Sequence, residues 1–113
     1  MKLDNLQLNF LNQLSSEILI LDVGLNVIWL NDSALNKGWV LNNKEKYLVT
    51  DQFSDESKSN LSNFLKKAIG NEGSKTKRDF ELNFKTNTKR IIDLTVRWSN
   101  QLSLIHISEP TRL

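Results

Sequence analysis

Hydrophobic residues recur at helical spacing at the start of the chain and then in short apolar runs. Leucine and phenylalanine side chains three or four positions apart predict an amphipathic helix over residues 3–14. Two runs, Ile18 to Leu21 and Val27 to Leu30, are rich in residues that favour a buried pleated surface and predict two strands. The segment between them, Asp22 to Asn26, has turn chemistry, because Gly24 is free to take a positive φ and both ends can bond to the backbone. We therefore expect a helix followed by a strand–turn–strand unit.

Two further helices are predicted after this unit. Asn31, Asp32 and Ser33 can each accept a bond at the start of a helix, which we expect from Asp32 to Leu41 with Gly38 weakening its end. Residues 42–56 are mostly polar and predict short turns, held to the core by Tyr47, Leu48 and Phe53. Asp55 or Ser57 then caps a clear helix that Gly70 ends. Its apolar stripe is Leu61, Phe64, Leu65, Ala68 and Ile69.

Strict alternation of apolar and polar residues predicts a hairpin after a polar loop over residues 71–77. One strand points Phe80, Leu82 and Phe84 to a single side, and the next does so with Ile92, Leu94, Val96 and Trp98. The turn is predicted over residues 86–88. Because only one face of this hairpin is apolar, we expect the other face to meet water.

The first two strands differ from the hairpin, because both of their faces are apolar. Ile18 and Ile20 lie opposite Leu19 and Leu21, and Val27 and Trp29 lie opposite Ile28 and Leu30. Something must cover the second face, and the N-terminal helix together with a partner subunit are the natural candidates. We therefore expect a homodimer. The candidate interface residues are Leu3, Leu6, Phe10, Leu11 and Leu14.

Composition indicates one domain with ordinary apolar and charged fractions. There are no cysteines, so a disulfide framework or a thiolate nucleophile is excluded. No apolar stretch approaches the ~20 residues of a membrane span, and no secretory signal is visible. The net charge is +2, and the short lysine and arginine clusters are interleaved with acids. This favours a solvated surface over a nucleic-acid interface, so neither nucleic acid nor a membrane is an expected partner.

The last residues resemble the in-frame translation of a widely used transposase-based sequencing adapter, unbroken from Leu102 to Arg112. The alternative is a genuine strand followed by a tail that contains Pro110. On the adapter interpretation, residues 1–101 are a domain truncated before its last strand, and residues 102–113 are not native. The only histidine, His106, then falls outside the native part. This excludes a histidine-ligated haem or metal and a Ser–His or Cys–His catalytic pair.

The order of elements resembles that of a PAS domain, and within that family the N-terminal PAS domain of bacterial nitrogen-regulation sensor histidine kinases. The matching segments are Leu11 to Leu14, Glu17 to Asp22, Val27 to Ala34, and the hairpin of Phe80 to Phe84 with Ile92 to Val96. The resemblance implies an α+β fold with an antiparallel sheet, helices on one face and an N-terminal helix. The four native strands would leave a slot between the first strand and the hairpin. We expect residues 102–107 to fill that slot, with Asn100 and Gln101 as the turn.

The resemblance also implies a function. Such a domain is cytoplasmic, carries no catalytic residues, holds the kinase dimer together, and couples a signal to the kinase/phosphatase balance of downstream domains. No cofactor or metal is expected in this fragment, which is not expected to be an enzyme. The parent protein would be a two-component sensor histidine kinase.

Two other functions stay open from the residues alone. The first is a PAS sensor for a small molecule, with Trp29, Phe53 and Phe64 as pocket candidates, although aromatic core packing explains these residues more simply. The second is a small α+β enzyme, which would need acid and base groups that converge in a pocket. Asp51, Asp55 and Glu56 could suggest a metal site, but a solvated loop and favourable charge at a helix start explain them better.

Overall fold

The computed structural model describes residues 4–39, 48–69, 73–99 and 101–109 of the chain. In order, the elements are α1 (Asn5–Asn12), β1 (Glu17–Leu21), β2 (Val27–Leu30), α2 (Asp32–Asn36), α3 (Asp55–Ala68), β3 (Gly73–Asn83), β4 (Lys89–Ser99) and β5 (Leu102–Ser108). The strands form one five-stranded antiparallel sheet in the order β2-β1-β5-β4-β3. The predicted α+β class with an antiparallel sheet is therefore confirmed.

β5 lies at the centre of the sheet, in the slot between the first strand and the hairpin. Its Ile105 pairs with Leu19 of β1 on one side and with Val96 of β4 on the other. The predicted placement of this segment is confirmed. Gln101 has a φ of 68° and belongs to the turn before β5, whereas Asn100 lies outside the described residues.

Alternation along the strands divides the sheet into an inner face and an outer face. The inner face packs against α3 and the segment after α2, and its side chains form the hydrophobic core. The sheet contributes Leu19, Leu21, Val27, Leu30, Phe80, Leu82, Ile92, Leu94, Val96, Ile105 and Ile107 to that core. The outer face carries Ile20 with its cross-strand neighbours Trp29 and Leu104, because directly paired residues share a face. Ile18 lies on the outer face as well, paired with His106.

A β-bulge between β1 and β2 makes the inward residues of β2 differ from those that simple alternation predicts. Leu30 pairs with Leu19 and Val27 pairs with Leu21, so both face inward, with the irregularity between Ile20 and Leu21. Simple alternation had placed Val27 on the same face as Trp29. The extra residue in the bulged strand shifts the register by one position. Ile28 is left 45% exposed.

The turn between β1 and β2 depends on Asp22 as predicted, but not on the conformation expected of Gly24. The Asp22 carboxylate accepts hydrogen bonds from the backbone N–H of Gly24 and of Asn26, each at 3.0 Å. The positive φ, 67°, falls on Leu25 instead. Leu25 tolerates this conformation because its side chain is buried in the core.

α2 is shorter than predicted and ends before Gly38, which has a φ of 97°. The N–H of Trp39 donates to Ala34 and that of Gly38 donates to Leu35, which is the Schellman pattern of a helix end. Residues 40 and 41, the last of the predicted helix, lie outside the described residues. This chain reversal directs the Trp39 side chain, 4% exposed, into the core.

The loop before α3 is anchored differently from the prediction. Leu48 is 37% exposed, whereas Val49 and Phe53 are buried, and Tyr47 lies outside the described residues. The N-cap of α3 is Ser54 rather than Asp55 or Ser57, and its side chain makes no capping bond. Asp55 occupies the first turn instead, where its negative charge favours the helix.

β3 begins at Gly73, within the segment that was predicted to be a polar loop. Its first seven residues are exposed and show no apolar alternation, so pattern analysis could not find them. Pairing with β4 forms this part of the strand, as in the contact of Thr76 with Thr95. A bulge between Lys77 and Phe80 then restores the predicted alternation, with Asp79 at a φ of 53°.

Candidate functional site: α1 and the outer face

α1 is a short helix that forms because both of its ends are satisfied. Asp4 and Gln7 make a reciprocal capping box, in which each side chain accepts a hydrogen bond from the other residue's backbone N–H. None of the eight helical residues is fully buried. A helix of this length is marginal in water by itself, so its attachment to the rest of the domain decides whether it persists.

Asn31 is the main attachment of α1 to the domain. Its side chain is fully buried and makes four hydrogen bonds. The amide nitrogen donates to the carbonyl oxygens of Leu11 and Ser16, while the amide oxygen accepts from the backbone N–H of Ile18 and Ala34. One side chain therefore connects the end of α1, the start of β1 and the first turn of α2. The predicted capping role of Asn31 is confirmed, and the connection to α1 is additional.

Two further contacts join the same elements. Asn12 accepts a hydrogen bond from the backbone N–H of Asp32 at 2.7 Å and donates to its carboxylate at 3.1 Å. The Ser33 hydroxyl donates to the carbonyl oxygen of Leu14 at 2.9 Å. Because these bonds run in parallel, α1 and the start of α2 are expected to move as one unit.

The exposed surface of α1 is apolar. Leu6 is 78% exposed and Phe10 is 64% exposed. They border a groove of about 530 Å³ that Gln7, Leu11 and the outward side chain of Leu104 complete. Exposed apolar side chains beside an apolar groove are typical of an interaction surface.

The structure divides the predicted interface residues into two groups. Leu6 and Phe10 face solvent, whereas Leu11 and Leu14 are half-buried. Leu3 lies outside the described residues. Ile18 and Ile20, on the outer face of the sheet, are each only 3% exposed. The apolar second face of β1 is thus covered within the chain, whereas α1 carries the two most exposed of the large apolar side chains that the structure describes.

The three predicted pocket residues are not brought together. Phe53 is fully buried in the core, where its ring contacts Trp39 edge-on at 5.5 Å and Phe84 at 4.9 Å. Trp29 lies on the outer face of the sheet, opposite that core. Phe64 is half-buried, with its ring 6.3 Å from that of Phe80. Aromatic packing therefore accounts for Phe53 and Phe64.

Phe64 also lines an open cleft of about 480 Å³ between α3 and β3. Its other walls combine amide, cationic and acidic side chains with one aromatic ring. They are Asn60, Asn63, Lys67, Lys77, Asp79, Phe80 and Glu81. Neither Trp29 nor Phe53 contributes to this cleft.

Glu17 and Arg90 form a buried ion pair that was not predicted from the sequence. Two guanidinium nitrogens of Arg90 donate to the two carboxylate oxygens of Glu17, at 2.9 and 2.8 Å. The indole nitrogen of Trp39 donates to the same carboxylate at 2.7 Å, and Arg90 also contacts Glu109 at 2.7 Å. The hydrogen bond to Glu17 is the main cause that raises the pKa of Arg90, and it outweighs the lowering by burial.

A sequence signal for this pair does exist. Residues two apart on a strand face the same side of the sheet. Glu17 therefore faces inward with Leu19 and Leu21, and Arg90 faces inward with Ile92. A charged residue at an inward position of an apolar strand needs a partner of opposite charge. The short basic clusters of the sequence, one of which contains Arg90, predict a solvated surface, but the side chain of Arg90 is only 15% exposed.

Neither a metal-binding cluster nor a membrane-spanning helix is present within residues 4–39, 48–69, 73–99 and 101–109. This part of the chain contains no group of three or more acidic, histidine or cysteine side chains that could hold a metal ion, and Asp51 instead faces Lys58 at 3.8 Å. No helix in it is long and apolar enough to cross a membrane.

Comparison with solved structures identifies the fold. The PAS domain of nitrogen regulation protein NR(II) from Vibrio parahaemolyticus matches 95% of this chain and all of its own, with a TM-score of 0.64 and 21% identity. A PAS domain from a two-component sensor histidine kinase matches 91% of this chain and 92% of its own, with a TM-score of 0.62 and 9% identity. The PAS-B domain of Drosophila melanogaster Cycle, bound to ethylene glycol, matches 81% of this chain and 97% of its own, with a TM-score of 0.65 and 13% identity.

The chain therefore has the PAS fold. Its structure is similar to that of the NR(II) PAS domain along nearly its whole length. No protein-family model and no curated protein matches the sequence.

Proposed function

We propose that this chain is a noncatalytic sensory and dimerisation module at the input end of a cytoplasmic two-component sensor histidine kinase of the nitrogen-regulation type. Its role is to bias the kinase/phosphatase balance of kinase domains that follow it in the full-length protein. The PAS fold supports the sensory role, and the likeness to the NR(II) domain supports the branch. The observation that carries the dimerisation role is the exposed apolar surface of α1.

The occupant that best fits this surface is α1 of a second copy of the chain. Leu6 and Phe10 project beside a groove that they share with Leu11, so the surface of α1 offers both a ridge and a recess; Leu104 completes the groove in the present chain only. A two-fold interface requires one patch that is complementary to itself, and this arrangement meets that requirement. Burying two exposed side chains from each copy removes apolar area from water, which favours association.

The attachments of α1 suggest how a signal would pass through the dimer. Asn31 connects α1 to β1 and α2, and Asn12 and Ser33 add parallel bonds. A change in the packing of the core at α2 would shift α1 and alter its contact with the second copy. Such a change biases two arrangements of the dimer, which downstream domains would then distinguish.

The dimer proposal is tested by sedimentation equilibrium of the chain and of the variant Leu6→Asp. An acidic residue is favourable in the first turn of a helix, so the variant keeps α1 while it charges the apolar ridge. We expect a dimer for the parent chain and a monomer for Leu6→Asp. The matched control is Val23→Asp, at a 56% exposed turn position away from α1, which should remain dimeric. A parent chain that is monomeric at high concentration contradicts the proposal.

We also propose that residues 102–113 are not native to this protein and that its own domain continues differently after residue 101. The unbroken likeness of residues 102–112 to a translated adapter supports this. The test is the genomic DNA downstream of codon 101 in the source organism. We expect a different strand and, beyond it, a helical domain with a phosphoacceptor histidine. A genome that encodes the present tail would contradict the proposal.

A second candidate function is a small-molecule sensor, and the cleft between α3 and β3 is the observation that favours it. Polar groups of both charges surround Phe64 there, in a volume suited to a small ligand. Thermal unfolding in the presence of free amino acids and small carboxylates tests it, with Asn63→Lys as a variant that fills the cleft. A stabilising ligand whose effect Asn63→Lys abolishes would support this function. No shift in the melting temperature with any compound would remove it.

A further inference from the structure

The central slot of the sheet, between β1 and β4, makes specific demands on the strand that occupies it. Both edges of the slot bind the backbone of β5, through pairs from Glu17 to Leu21 on one side and from Asp93 to Ser99 on the other. Backbone pairing of this kind is indifferent to sequence, so side-chain specificity must come from the inward positions. These positions are 103, 105 and 107, and all three are at most 2% exposed.

β5 satisfies these demands unequally. Ile105 and Ile107 belong to the hydrophobic core, as the slot requires. Ser103 is 1% exposed and lies between Leu21 and Trp98, and its hydroxyl has no hydrogen-bond partner among the residues that the structure describes. A buried hydroxyl without a partner is destabilising, and neither cross-strand neighbour offers a side-chain acceptor.

We propose that the slot is built for a strand with apolar side chains at all three inward positions, and that in the natural protein such a strand follows residue 101. The second half of this inference rests on the proposal that residues 102–113 are not native.

The demand at position 103 is tested in the chain as it stands, with the variants Ser103→Val and Ser103→Thr. These side chains have nearly the same shape, so their difference isolates the hydroxyl from the added volume. Thermal unfolding should show Ser103→Val melting about 4 °C or more above the parent chain and above Ser103→Thr. If Ser103→Val melts no higher than the parent chain or Ser103→Thr, the proposed demand is wrong.

Occupation of the slot is tested separately with Ile105→Thr, which keeps the shape of a β-branched residue near the backbone but places a hydroxyl in the core. We expect a lower melting temperature than for the outward variant Ser108→Thr, which should change little. Equal melting temperatures for these two variants would overturn the placement on which the inference stands.

Genomic sequence then separates the two proposals. A different downstream strand with apolar residues at all three positions that correspond to 103, 105 and 107 supports both proposals. A different downstream sequence without this pattern overturns the slot inference alone. The present tail in the genome overturns the proposal of a non-native segment and, with it, the claim about a natural strand, whereas the demand at position 103 is judged by the valine and threonine variants.

Discussion

The inner face of the sheet and α1 both carry large apolar side chains, but those of the inner face are buried whereas two of those on α1 are exposed to water. Phe53 is fully buried between Trp39 and Phe84, whereas Phe10 is 64% exposed on α1. The inner face thus accounts for the stability of one chain. We expect the exposed α1 surface to contribute little to that stability, in keeping with the proposal that its apolar residues contact a second copy of the chain.

The difference between the inner face and α1 is tested most sharply by truncating a phenylalanine to alanine in each of them. Phe53→Ala should lower the free energy of unfolding by about 3–5 kcal/mol, because it leaves a cavity in a packed core. Phe10→Ala should change it by about 0.5 kcal/mol or less when measured on the monomer, because the side chain is largely in water already. Urea unfolding at low protein concentration provides both values. Similar losses for the two variants would show that α1 packs as part of the core.

The buried ion pair tests whether the inner face tolerates an unpaired charge. Arg90→Met should cost about 3–5 kcal/mol, because it leaves the buried carboxylate of Glu17 with the indole of Trp39 as its only side-chain partner among the residues that the structure describes. The double variant Arg90→Met with Glu17→Met should recover part of that loss. Since the pKa of Arg90 is raised, the stabilisation that comes from its charge is fully present below the ordinary pKa of arginine and is lost only as the pH rises through the raised pKa. Urea unfolding of the three proteins at neutral pH measures the coupling.

Asn31 connects α1 to β1 and α2, and the variant Asn31→Asp should weaken that connection. The change keeps the acceptor for Ile18 and Ala34 but removes the donor to Leu11 and Ser16. We expect a loss of about 1–3 kcal/mol in stability. Hydrogen exchange should quicken in α1 more than in β4. Equal acceleration in both elements would mean that Asn31 supports the whole fold rather than the attachment of α1.

The smallest effect is expected for an exposed pair on the hairpin, where water covers both partners. Lys89 and Glu81 approach to 3.3 Å, but both side chains are about half exposed. Lys89→Ala should change the free energy of unfolding by about 0.5 kcal/mol or less. Urea unfolding checks this, and a loss near that of Arg90→Met would contradict the distinction drawn between buried and exposed pairs.

Periodicity predicted the elements whose apolar positions repeat, and it failed where tertiary contacts decide. β1, α3 and the hairpin follow from alternation or helical spacing in their own residues. The first part of β3 has no such pattern and is a strand because β4 pairs with it. The bulge in β2 moved Val27 to the inner face, which no local property of the sequence indicates.

The candidate site shows the same division. Leu6 and Phe10 were predicted as dimer-interface residues on the apolar side of an amphipathic helix; the structure leaves them exposed, and their role in an interface stays a prediction. The contacts that hold α1 in place join residues about twenty positions apart, such as Asn31 with Leu11. Glu17 and Arg90 lie 73 positions apart, so the only sequence signal for their pairing is that each occupies an inward position of an alternating strand.

The most direct test of the central claim uses the fact that the chain contains no cysteine. Single variants Leu6→Cys, Phe10→Cys and Val23→Cys are oxidised at a concentration at which the chain is dimeric, and the products are separated under non-reducing conditions. A two-fold contact through α1 brings like residues near the axis within disulfide reach, with Cα atoms about 7 Å apart or less. The account predicts rapid formation of a covalent dimer from position 6 or 10 and little from position 23. Faster cross-linking at position 23 than at either α1 position would contradict it.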